Sequence, residues 1–209
     1  MGMMSVPLYT PIDPATTAAK AYPAFELGRN ASLVLRERVW LIQTGIIEIN
    51  LVDSDGNLCF IGLGTAGMAV CGSPDLCYEI QALSPSRLLS FTAAEVHASA
   101  HLPRLICEGQ QYRQYYSDLL LKAGHYPTAV QRLYEVLVVL GQMIGVSTPA
   151  GVRLPVRFTH AQLSRYTGIT RVTVTRLLHH LRQQQRLWWG RDRHLILLGQ
   201  DSCCPKNRG

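Results

Sequence analysis

Four side chains stand out for the chemistry they could do together: Arg171, Val172, Thr175 and Arg176. Their spacing places them on one side of an α-helix, and each type matches a base edge in the DNA major groove. An arginine fork pairs with guanine O6 and N7, while valine and threonine methyls meet the C5-methyl of thymine. Thr159, Thr170 and Thr173 offer hydroxyls, and Arg191 and Arg193 offer guanidinium groups, of the kind that hold backbone phosphates. No Ser/His/Asp arrangement, metal-ligand spacing or phosphate-gripping loop accompanies them. Neither a catalytic residue nor a metal site is expected, and the chain does not read as an enzyme.

The segment that must position these residues reads as two short helices joined at Gly168. Thr159 with Gln162 forms a capping box for the first helix, and Thr170 caps the second through its side-chain oxygen. A small residue at Ser164 allows a close helix crossing, and glycine at 168 can take the positive φ that such a turn needs. Val174, Leu177, Leu178 and Leu181 then face inward, which leaves the arginine and threonine row outward. The other structure with this pattern is an amphipathic helical hairpin with a solvated basic face. Beyond the second helix, Leu187 to Leu198 reads as a hairpin turning at 190–193, so the segment 126–198 is expected to form a winged helix.

Charge agrees with this placement. The chain has 209 residues and a formal net charge of +6, distributed unevenly. Residues 1–100 hold five Lys/Arg against nine Asp/Glu, whereas 101–209 hold fifteen against five. Clustered cations favour double-stranded DNA as partner, and an acidic protein docking on the basic domain is the alternative. Cys59, Cys71, Cys77, Cys107, Cys203 and Cys204 lack zinc-site spacing and read as free thiols, with a redox role for Cys71 with Cys77, or Cys203 with Cys204, as the other reading. No stretch is apolar for long enough to span a bilayer, and the amino terminus does not read as a signal peptide. The expectation is a cytoplasmic protein without membrane contact.

Residues 1–23, with Pro7, Pro11, Pro14 and Pro23, suggest an irregular arm, and 199–209 a tail. Between 24 and 101 the signals are short strands: Val39 to Val52 broken at Gly45, a turn at 53–57, a return over Leu58 to Leu63, then Cys77 to Leu83 and Arg87 to Phe91. They predict an α+β chain opening with an antiparallel β-barrel or jelly roll. His97 and His101 are placed on one helical face. A long helix follows over 102–125, on which Leu105, Gly109, Tyr112, Tyr116 and Leu119 recur at steps of four and three. That seam fits a helix pairing with its copy in a homodimer, or one lying on the barrel of its own chain. Pro127 opens a further helix, and Val146 to Gly151 is a turn-rich break.

Barrel, long helix and winged helix in this order resemble the CRP/FNR family of bacterial transcription regulators, from about residue 24 to 198. Arg171-Val-Thr-Val-Thr-Arg176 is similar to the global nitrogen-control branch of cyanobacteria. The resemblance implies a homodimer reading a GTA…TAC-type palindrome with Arg171, Val172 and Arg176, in nitrogen or carbon/nitrogen control, with RNA polymerase and a co-regulator protein as partners. It also implies a cupin-like barrel of the cyclic-nucleotide-binding type. The expected pocket turn, at 64–78, lacks the glutamate and arginine that hold cyclic AMP, so that cofactor is not expected. A 2-oxoglutarate pocket would draw on Gly67, Met68, Ala69, Arg113 and Asp118, but Leu76 stands where the strand arginine would be. A dianion thereby loses its bidentate partner, and the expectation is a chain without cofactor. Arg113 and Asp118 read equally as a helix-surface or intersubunit ion pair, and the small residues of the turn as a tight barrel corner.

Overall fold

A computed structural model describes residues 22–198. All but the last two positions of the arm expected at 1–23, the tail at 199–209, and Cys203 and Cys204 lie outside the described residues. The chain forms two compact units, Met1–Tyr115 and Tyr116–Gly209, so the long helix contributes to both.

The first unit is built from two four-stranded antiparallel sheets. One holds β1 (Ala24–Leu27), β8 (Ser86–Phe91), β3 (Val39–Thr44) and β6 (Ala69–Cys71) in that order. The other holds β2 (Ser32–Leu35), β7 (Cys77–Ala82), β4 (Ile46–Val52) and β5 (Leu58–Thr65). Gly45 separates β3 from β4 as its place in the β-branched run suggested. The turn from β4 to β5 is held by Asp53, whose carboxylate accepts from the backbone N–H of Asp55 at 2.9 Å and of Asn57 at 2.8 Å. The Asn57 amide and these backbone donors hold the Asp53 carboxyl below its ordinary range.

Helix α1 (Ala93–His97) starts at a capping box of Thr92 and Glu95 and stops after one turn. Ser99 then accepts from the N–H of His101 at 3.3 Å and of Leu102 at 3.2 Å, starting α2 (Leu102–Gly124) as a separate helix. The single helical face expected for His97 and His101 therefore does not exist, because a side-chain cap interrupts the backbone between them. Leu102, Leu105 and Ile106 of α2 join Leu41, Ala69, Leu89 and Phe91 in one apolar cluster.

Of the seam expected for a partner copy or for the barrel, the first positions are turned to this core. Leu105 is buried in the cluster, and Gly109 sits so close to the turn before β6 that a β-carbon would stand 2.5 Å from the Gly67 carbonyl oxygen. Tyr116 is buried, with its hydroxyl 3.3 Å from the Gln142 carbonyl, and Tyr112 and Leu119 are half-buried. The exposed row of α2 is instead Cys107, Gln111, Gln114, Asp118 and Leu121, with Leu121 64% exposed. This row has the same alternation of four and three, displaced by two positions.

The second unit packs α3 (Ala129–Ile144), α4 (His160–Thr167) and α5 (Arg171–Gln183) with a four-stranded antiparallel sheet. Thr128 caps α3 through its side chain, so the helix starts after Pro127, and Leu133, Val136, Leu137 and Leu140 form its buried stripe. The sheet order is β11 (Leu187–Trp189), β12 (Leu195–Leu197), β10 (Gly151–Arg153) and β9 (Val146–Thr148). The turn-rich break expected at 146–151 is thus a hairpin that widens the wing to four strands.

Gly109→Val should lower stability by about 1–3 kcal/mol, since two methyls and a β-carbon would be forced onto backbone that cannot withdraw. Denaturant unfolding followed by circular dichroism measures this, and an unchanged midpoint would contradict the close approach.

Candidate nucleic-acid interface

The turn between α4 and α5 is built from local hydrogen bonds. Thr159 accepts from the N–H of Gln162 at 3.1 Å, while Gln162 Oε1 accepts from the N–H of Thr159 at 2.9 Å, completing the capping box. At the other end Gly168 adopts φ 65°, ψ 20°, the left-handed conformation that reverses the chain within one residue. Ser164 does more than allow a close crossing: its hydroxyl donates to the Ile169 carbonyl at 2.5 Å, satisfying a backbone acceptor inside the turn. Thr170 then caps α5 by accepting from the N–H of Thr173 at 3.3 Å.

Burial orients α5. Val174, Leu178 and Leu181 are buried, Leu177 is half-buried, and Leu163, Tyr166 and Ile169 close the same core from the α4 side. Arg171, Val172, Thr175, Arg176 and His179 are left exposed, with Val172 at 67%. An exposed valine between two arginines has no folding rationale on a helix whose apolar side is already filled, and it suits a thymine methyl.

The remaining expected residues fall around this face. Thr159, Thr170 and Thr173 lie at the helix starts, where Thr170 Oγ1 donates to Thr173 Oγ1 at 2.9 Å. The Thr159 hydroxyl also donates within its cap, to Gln162 Oε1 at 3.1 Å. The Thr159 and Thr170 protons are thus already engaged within the caps. Arg191 and Arg193 are exposed in the turn between β11 and β12, Arg193 at φ 61°.

Three contributions were not visible in the sequence. Arg153 of β10 pairs with Asp192 in the wing turn, and His194 donates its backbone N–H to the same carboxylate at 3.2 Å. These contacts, Arg153 first, hold the Asp192 carboxyl below its ordinary range. Because the folded value is depressed, the pairing supports the fold above the unfolded carboxylate pKa and is lost as pH falls through the lowered one. Arg182 lies 4.7 Å over the Trp188 ring and Arg186 4.4 Å over Tyr134, so these two cations are committed to aromatic faces. His160 Nδ1 lies 2.8 Å from Thr175 Oγ1.

Known proteins share this arrangement. Residues 131–199 match the Crp-like helix-turn-helix domain. Regulatory protein CysR of Synechococcus elongatus is 29% identical, over 99% of this chain and 98% of its own length. The global nitrogen regulator of Synechocystis sp. is 27% identical, over 70% of each chain. A CRP-family transcriptional regulator of Thermus thermophilus shares the fold with a TM-score of 0.66 at 15% identity, over 84% of this chain and 92% of that one. Residues 131–199 thus belong to the Crp-like helix-turn-helix domain family, and the chain as a whole resembles CRP-family regulators.

The barrel of the first unit has an internally bonded turn where the effector residues were expected. The N–H of Gly67 donates to the Ile42 carbonyl at 2.8 Å and that of Met68 to the Thr65 carbonyl at 3.0 Å. Met68 and Ala69 are fully buried. Arg113 reaches the same turn, with Nε donating to the Ala69 carbonyl at 3.1 Å, whereas Asp118 is exposed in the second unit. Gln110 Nε2 lies 2.6 Å from Cys71 Sγ, and burial pushes the Cys71 thiol above its ordinary range against a smaller opposing pull from Arg113. A raised pKa disfavours thiolate, the reactive form. Among the described residues no group of three His, Cys, Asp or Glu is arranged to hold a metal, and no helix is long and apolar enough to cross a membrane.

Gly168→Ala should cost about 1 kcal/mol, because the left-handed backbone is strained for any β-carbon although nothing lies within 4 Å of the site. Gly168→Asn should cost less. Equal unfolding midpoints for wild type and the alanine variant would remove the backbone requirement.

Proposed function

We propose that two copies of the chain bind a palindromic GTA…TAC-type duplex, each inserting α5 into a major groove about 34–36 Å from the other. The observation that carries this reading is the exposed set Arg171, Val172, Thr175 and Arg176 on a helix whose opposite side is sealed. Arg171, Val172 and Arg176 read bases, the helix-start amides beside Thr159, Thr170 and Thr173 hold phosphates, and Arg191 and Arg193 rest on the flanking backbone. The exposed row of α2 from Cys107 to Leu121 supports pairing of the two copies. RNA polymerase is the partner at the promoter, and the relatives named global nitrogen regulators support nitrogen or carbon/nitrogen control as the setting.

The effector turn supports control without a bound dianion. Two of its amides and Arg113 already have partners within the unit, and Gly109 stands against Gly67. The amount of regulator, or a co-regulator protein, then sets occupancy of the DNA.

Arg176→Ala should weaken binding to the cognate duplex by about 1–3 kcal/mol and relax one base position. Arg193→Ala should weaken all duplexes alike and reduce the salt slope by about one. Fluorescence anisotropy over a salt series measures both, and curves with 2-oxoglutarate present should superimpose on those without. Equal cognate binding by wild type and Arg176→Ala would contradict the base-reading role, and a 2-oxoglutarate-dependent affinity would contradict effector-free control.

A further inference from the structure

His160 is the first residue of α4, and its imidazole reaches the recognition helix. Nδ1 stands 2.8 Å from Thr175 Oγ1, which lies 3.0 Å from the Arg171 carbonyl and donates to it. A hydroxyl carries one proton, so with that proton on the Arg171 carbonyl the oxygen must accept from His160. This places the imidazole proton on Nδ1. A helical threonine divides between two χ1 rotamers, and the back-bond to the residue four earlier favours one of them. The second bond, from His160, adds to that preference. With Oγ1 engaged from both sides, the group that exposed Thr175 has left to present is its methyl.

We propose that His160 is a positioning residue for base reading: it holds Thr175 so that the methyl, and not the hydroxyl, meets the base, which makes Thr175 a reader of thymine. This rests on the assignment of α5 as the DNA-reading helix. A threonine hydroxyl is an ambiguous reader, since it can donate to or accept from several base edges. A methyl fixed in place distinguishes the C5-methyl of thymine from the bare edge of cytosine.

Deoxyuridine, which differs from thymidine only by that methyl, is the probe. Anisotropy titrations compare the selected duplex with versions in which each half-site thymidine in turn is replaced by deoxyuridine. Wild type should lose about fourfold in affinity at one position, the worth of one methyl removed from an apolar contact. Thr175→Ser keeps both hydroxyl bonds and lacks the methyl, so it should bind the two duplexes equally. His160→Ala should bring the ratio toward one, and His160→Asn should restore it, because asparagine Nδ2 occupies the place of imidazole Nδ1. His160→Gln puts its donor one atom further out and should not. The ratio is taken within each variant, so a smaller folded fraction moves both duplexes alike. A flat ratio in wild type, or a ratio unchanged in His160→Ala, overturns the proposal alone. Failure of wild type to bind the all-thymidine duplex overturns the DNA-reading assignment and this proposal with it.

Discussion

The second unit turns on the chain reversal between α4 and α5 at Gly168. Only a residue without a β-carbon takes φ 65° there at little cost, and only with that reversal do Leu163, Ile169 and Val174 meet in one core. Once those residues are buried, the azimuth of α5 is set, and the opposite side must carry Arg171, Val172, Thr175 and Arg176. The face proposed to read DNA is therefore a by-product of a packing constraint. Its contacts cannot rotate out of register without exposing the core. Ser164 and the two threonine caps each satisfy a backbone group of the turn, which helps to hold it closed.

The first unit follows a related logic with a different outcome. Gly109 lets α2 approach the turn before β6 at backbone distance, and Arg113 and Gln110 reach the same turn from the next helical positions. The Gly67 and Met68 amides and the Ala69 carbonyl all have partners within the unit. A sensor that takes a small anion needs the reverse, a concave site with donors waiting for charge. The CRP-like fold is thus present here with the turn packed against α2.

Much of the helix-turn-helix unit was legible because its signals are local. The pair Thr159 and Gln162, Gly168, and the inward spacing of Val174, Leu178 and Leu181 each act within one or two helical turns, so residue type alone defines them. What escaped the sequence depends on distant partners. Leu105 and Gly109 fit a seam between copies as well as a seam against a barrel, since both produce the same alternation of four and three. β9 and β10 are three residues each and become strands only through pairing with each other and, for β10, with β12, some forty residues away. Short β1 and β2 carry exposed Phe25 and Val34, so their residue types do not alternate between apolar and polar as in a half-buried strand. His160 gains its place beside Thr175 only after the two helices have crossed.

Whether a symmetric pair of α5 helices reads duplex DNA is decided by selecting bound duplexes from a random pool and sequencing them. An inverted repeat with GTA and TAC arms, their centres about one helical turn apart, should be enriched. A pool that returns unenriched, or enriched only for an unrepeated motif, would contradict paired reading by α5.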